Sequence, residues 1–108
     1  MSETKTVRRR SEAHLKRLRT LRCAVPGCQH WRHEGVVAHH LTCGPEPKAR
    51  GLKAGDAWAV PLCWTHHDAR SPASVHWRGD ERAWWAEKGI DPVLLARQYA
   101  NPHPEFTE

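Results

Sequence analysis

Apolar positions along the chain are sparse and fall in short groups divided by turn residues. In "SEAHLKRLRTLR", residues 11–22, Leu15, Leu18 and Leu21 recur every three positions. That spacing predicts a helix capped by Ser11 and running through Arg22, docked by a narrow leucine stripe with basic faces outward. "CAVPGCQHWRHE", residues 23–34, turns on Pro26-Gly27 and reads as a knuckle. "GVVAHHL", residues 35–41, predicts a short strand, and "CGPEPKARGLKAGD", residues 43–56, a Gly/Pro-rich loop. "AWAVPL", residues 57–62, predicts a second strand with Pro61 at its end, and "CWTHHDAR", residues 63–70, the opening of a helix that Ser71-Pro72 stops. The last third reads as helical. Asp80 caps "ERAWWAEK" and Gly89 closes it. Asp91 and Pro92 start a further helix through "VLLARQYA" that Asn101-Pro102 ends. Trp84, Trp85, Ile90, Leu94 and Leu95 are its expected core residues. The expected organisation is a basic arm over 1–22 with residues 1–10 disordered, a body over 23–100 and a loose tail over 101–108.

Composition narrows the class. At 108 residues the chain makes one small domain, and 39% hydrophobic residues with a mean hydropathy of −0.76 leave a thin core. Six Trp supply most of the large apolar surface, so a staple is expected. Net charge is +5, but residues 1–22 hold eight Lys/Arg against two Asp/Glu, while the rest holds nine against ten. A basic arm on a near-neutral body points to a polyanion, most simply nucleic acid. No apolar run approaches a membrane helix, and no apolar stretch marks a secretory signal, so a cytoplasmic protein is expected.

Four Cys allow two disulfides, but they interleave with His and nothing suggests an oxidising compartment, which favours metal binding. Cys23 and Cys28 have four residues between them, and Cys63 and His66 have two. Positions i and i+3 share a helix face, so Cys63 and His66 can reach one ion. Three Cys and one His would make a closed structural zinc site. The plainer alternative is free thiols with His66 on the surface. Cys43 is either a substitute for Cys28 or an uninvolved thiol. His39, His40 and His67 then remain. Neighbours on a helix point about 100° apart, so His67 faces away from the ion of His66. Neighbours on a strand face opposite sides, so His39 and His40 serve one site only if the strand ends, twists or bulges there. One reading makes His39 and His67 metal ligands and His40 a water-activating base. Others make all three ordinary hydrogen-bonding residues or ligands of a second structural zinc.

A knuckle, a strand ending in His-His, a second strand and then "LCxxHH" opening a helix resembles the HNH, or ββα-metal, endonuclease family. More closely, "AHH", "GLKAGDAWAVPLCWTHH" and "VHWRGDERAWWAEKGIDP" are similar to the phage recombination-enhancement (Ref-type) branch over roughly residues 20–97. The resemblance implies an α+β fold: a small zinc-stapled ββα-metal, treble-clef-like domain with a basic N-terminal helix and C-terminal helices. It implies His40 as general base, His39 and His67 as ligands of a catalytic Mg²⁺ or Mn²⁺ (or Zn²⁺), and Cys23, Cys28, Cys63 and His66 as ligands of a structural Zn²⁺. His76 matches a His of that branch and is either a further metal ligand or a helix-start hydrogen-bonding residue. The Asn that usually orients the base is replaced by Trp58, with Asp56 the nearest polar residue.

Lys48, Arg50 and Lys53 in the inter-strand loop, with Arg17, Arg19 and Arg22 of the arm, are candidate phosphate contacts. Trp64 and Trp77 either stack on bases or pack in the core. The expected function is a phage-encoded endonuclease that hydrolyses DNA phosphodiesters in a bacterial cytoplasm, with a recombinase filament as a possible accessory. The alternative is a zinc-stabilised DNA-binding module without catalysis.

Overall fold

The structure, a computed structural model, describes residues 8–47 and 52–100. Lys48, Arg50 and the tail 101–108 lie outside the described residues. At the centre β1 (Val36–His40) pairs antiparallel with β2 (Ala59–Cys63), with Val36 opposite Cys63 and His40 opposite Ala59. That register puts the cysteine end and the double-histidine end of the ribbon at opposite extremes. A two-stranded ribbon is marginal in water by itself. Here α1 (Glu12–Leu18), α2 (Trp31–Glu34), α3 (Trp64–His67) and α6 (Pro92–Ala100) all pack on β2, whose five residues are all buried. The described chain is a small compact α+β arrangement of one ribbon and its covering helices.

Pro61 sits in the middle of β2 rather than at its end. A proline lacks the ladder donor, which matters only where a neighbour needs it. Pro61 pairs with Ala38 on one side, and on the other its carbonyl accepts from the knuckle's Ala24 N–H at 2.8 Å. The knuckle thus docks along the outer edge of β2.

α1 is shorter than the expected helix and uses a different stripe. Ser11 does cap it, accepting from His14 N at 3.1 Å, but the helix ends at Leu18. The buried pair is His14 and Leu18, spaced i and i+4, whereas Leu21 is exposed. The early stop follows from the turn at Arg19–Leu21 that delivers Cys23 to the knuckle. Residues 8–10, expected to be disordered, are hydrogen-bonded to the inter-strand loop.

Trp84 and Trp85 of α5 (Glu81–Glu87) lie in the core, edge to face at 4.8 Å. Truncating buried Trp85 to Ala is worth about 3–5 kcal/mol of stability. Leu94 was an expected core residue and is 54% exposed. The face of α6 that meets β2 is built on Ala96 and Ala100, whose small side chains allow close approach, and this turns Leu94 outward. α4 (Val75–Arg78) was not expected at all; Ser74 caps it by accepting from Trp77 N, and Gly79 ends it at φ 76°. Among the described residues no helix is long and apolar enough to cross a membrane.

Candidate metal centres

α3 is one turn long and does the work of dividing the two sites. Its exposed N–H groups are satisfied from outside: Thr65 N donates to Glu34 Oε1 at 2.9 Å, and the chain leaves the helix at Asp68. Within that turn His66 and His67 point in different directions, as successive helix residues must.

His66 faces the knuckle. Its Nδ1 lies 3.3 Å from Cys63 Sγ and 3.6 Å from Cys23 Sγ, and Cys28 Sγ lies 3.7 Å from Cys63 Sγ. The four donor atoms of Cys23, Cys28, Cys63 and His66 fall within 4.8 Å of one another. Sulfurs 3.7 Å apart are not a disulfide, and all four cysteines are free. A tetrahedral zinc with Zn–S near 2.3 Å spaces its sulfurs by about 3.8 Å. The group therefore fits a metal ion such as zinc. Burial raises the Cys63 thiol well above its ordinary value, and the neighbouring Cys23 and Cys28 sulfurs add to the rise. Burial raises Cys23 as well. Crowded thiols of this kind ionise when a cation supplies the compensating charge. Cys43 stands outside this group and is half-buried.

His67 faces the other way, towards His39 of β1 and His76 of α4. The three rings meet edge on, with centroids 5.3, 5.4 and 4.9 Å apart, and their donor nitrogens again fall within 4.8 Å of one another. Burial and the two neighbouring imidazoles push the His67 pKa down to about 4. A neutral imidazole keeps the lone pair that a metal needs. His76, on α4, thus joins the cluster as a third candidate donor beside His39 and His67.

Glu81, which the sequence reading missed, holds His39 in place. Its Oε2 lies 2.8 Å from His39 Nε2 and 2.8 Å from Trp85 Nε1, and its Oε1 accepts from Thr42 N and Oγ1 at 2.9 and 2.6 Å. Burial alone would raise this carboxyl, but the bonds from His39, Thr42 and Trp85 outweigh burial and hold it at about 2. An ionised carboxylate only accepts, so Nε2 of His39 carries the proton and Nδ1 keeps the lone pair.

His40 has a parallel arrangement on the other side of the strand. Its Nε2 lies 2.8 Å from Oδ1 of Asp56, a buried residue at the start of the 3-10 turn Asp56–Trp58. Asp56 is also held below the ordinary carboxyl range: burial raises it, and the bonds from His40, Ser11 N and Arg10 more than offset burial. Nε2 of His40 is therefore the donor, and Nδ1 is the free acceptor. Burial lowers the His40 pKa, and the Asp56 bond and charge only partly reverse that. The β-ladder is regular through His40 and then ends, so no bulge is needed. A cavity of about 190 Å³ opens past the strand end, and His39, His40, Thr42, Lys53, His67 and His76 all line it.

The other expected contacts are scattered. Lys53 lines that cavity. Arg17 reaches Nδ1 of His14 at 3.1 Å, Arg19 pairs with Glu12 at 2.9 Å, and Arg22 lies over the Trp31 ring. Trp64 and Trp77 are exposed at 44% and 58%, so neither is a core residue. Comparison with protein-family models, curated proteins and solved structures gives no match to this chain.

Proposed function

We propose that the chain is a metal-dependent DNA endonuclease of the HNH, ββα-metal type, and that the thiol group is its structural zinc site. One observation carries the reading: a histidine with a carboxylate-fixed Nε2–H and an unengaged Nδ1 lines the same cavity as a three-imidazole cluster and a lysine. The order β1, β2, α3, with the knuckle docked beside β2, agrees with a treble-clef-like ββα-metal unit.

In this reading Nδ1 of His40 takes a proton from water. The water oxygen bonds to phosphorus as the bond from phosphorus to the leaving sugar oxygen breaks, and that oxygen takes a proton from solvent. Asp56 stabilises the imidazolium that forms. Lys53 neutralises a phosphate oxygen. An ion held by His39, His67 and His76 would supply the remaining positive charge on the scissile phosphate and leaving oxygen. An all-imidazole donor set leans towards Zn²⁺ or another borderline ion over Mg²⁺, which prefers carboxylate and water oxygens.

The test is nicking of supercoiled plasmid with Zn²⁺, Mn²⁺ or Mg²⁺, with and without a recombinase filament. His40→Ala should keep fold and zinc content and lose about 10²–10⁴-fold in rate. A wild-type protein that binds DNA but never nicks it under any of these conditions is a binding module, and the nuclease reading is then wrong.

A further inference from the structure

Residues 8–11 form a strap across the inter-strand loop. Arg8 Nη1 donates to Pro47 O at 3.0 Å, and Arg10 Nη1 donates to Ala54 O at 2.7 Å. Arg10 also reaches Lys53 O through Nη2 at 3.3 Å and Asp56 Oδ1 through Nη1 at 3.4 Å. Ser11 N donates to Asp56 Oδ2 at 2.6 Å, and Asp56 N donates back to Arg9 O at 2.8 Å. The two backbones run so close that a Cβ on Gly55 would lie 3.1 Å from both N and O of Arg9, and 2.8 Å from Glu46 Oε1. Glycine at 55 lets the two backbones lie this close; a Cβ there would push the strap and the Glu46 side chain aside by a few tenths of an ångström.

The strap ends on Asp56, whose carboxylate faces His40. Asp56 has both oxygens engaged: Oδ1 by His40 Nε2 and Arg10, Oδ2 by Ser11 N. A carboxylate held at one oxygen can rotate about its last bond; one held at both cannot, and the direction of its remaining lone pairs is then set. We infer that the strap is a positioning element of the site: it fixes Asp56, and through Asp56 the ring plane and tautomer of His40. The inference rests on His40 being the water-activating base. It also gives part of the basic arm a second role, since Arg8 and Arg10 direct Nη donors onto the inter-strand loop and, from Arg10, onto Asp56. Without the strap, Oδ2 would accept from water, the carboxylate would turn, and His40 would share its proton between both ring nitrogens.

The test uses the full chain with Arg10→Ala, Arg10→Lys and Gly55→Ala, each qualified by an unchanged zinc content. Long-range ¹H–¹⁵N correlation at neutral pH reads the His40 tautomer directly. Wild type should show one tautomer, with the proton on Nε2. Arg10→Ala and Gly55→Ala should show a mixture, and Arg10→Lys should return towards wild type. Nicking should fall roughly tenfold in kcat with little change in KM. The tautomer measurement judges the strap and the nicking of wild type judges the nuclease, so the two readings fail separately. If either Arg10→Ala or Gly55→Ala folds and leaves the His40 ring in its single wild-type tautomer, the strap does not position it and the inference is wrong.

Discussion

His66 and His67 are neighbours in sequence and belong to unlike sites. His66 meets three sulfurs, two of them from fully or nearly fully buried cysteines, in a set of four donors that could hold one ion. His67 meets two imidazoles at the edge of a cavity, in a set of three that leaves room for other ligands. Soft thiolates in a closed set suit an ion that never exchanges. Imidazoles in an open set suit an ion that binds something else. One helical turn thus separates two unlike candidate donor sets, and the difference can be broken at several levels.

The largest effect is expected at the closed set. Cys63 lies at the centre of that set and also ends β2, so Cys63→Ser removes a ligand at the junction of knuckle, ribbon and α3. A structural zinc in a small domain contributes about 10 kcal/mol or more, against a total stability of about 5–15 kcal/mol. Cys63→Ser, or a strong chelator, should unfold the chain, with loss of far-ultraviolet helical signal in step with loss of zinc. A metal-free chain that keeps a cooperative melt would show that the thiols are not a staple.

His67→Ala should do the opposite. It should keep the melt and the knuckle ion, lose the second ion, and drop nicking by at least roughly 100-fold, the upper range for a merely supporting residue. Metal content per chain and a melting curve, taken together, decide the matter. Loss of both ions in this variant would mean that the two groups are one linked centre.

Glu81→Gln is smaller again. The side chain keeps its size and can still accept from Trp85 or Thr42, but it no longer fixes the tautomer of His39 by charge. Affinity for the second ion should weaken about 10–100-fold, with the knuckle ion unchanged in a competition titration. An unchanged second affinity would remove Glu81 from the site.

Glu81 also marks where the sequence stopped being legible. The knuckle ligands could be read because each pair is local: Cys23 with Cys28, Cys63 with His66. The ribbon, and the helices capped by Asp80 and Asp91, were legible for the same reason. Asp56, 16 residues from His40, stood out as the polar residue nearest the place of the usual Asn, whereas Glu81 lies 42 residues from His39 with no such pointer. An acid just after an N-cap reads as helix-dipole compensation, and nothing local says that its side chain turns inward. The available signal was chemical: two adjacent histidines at the end of a strand, one of them buried, each need an acceptor. The leucine stripe of α1 misled for a related reason. Three-residue spacing drifts around a helix, and the face that docks runs through His14 and Leu18, where a polar residue conceals the i, i+4 pattern.

The smallest expected effect belongs to Lys53. Its backbone carbonyl anchors the strap through Arg8 and Arg10, so Lys53→Ala removes the charged side chain and leaves the strap tied. Lys53 lines the histidine cavity from the loop side, and its charge acts on His40, where a phosphate near Nδ1 would lie. A single phosphate contact contributes to DNA binding uniformly across sequences. Its loss should weaken binding a few-fold and lower the slope of log affinity against log salt by about 1. His67→Ala, by contrast, should leave that slope unchanged while abolishing nicking, because an ion acting on the reacting phosphate matters most at the transition state. Equal slopes for wild type and Lys53→Ala would place the DNA backbone away from this cavity, leaving the open histidine set without a phosphodiester to act on.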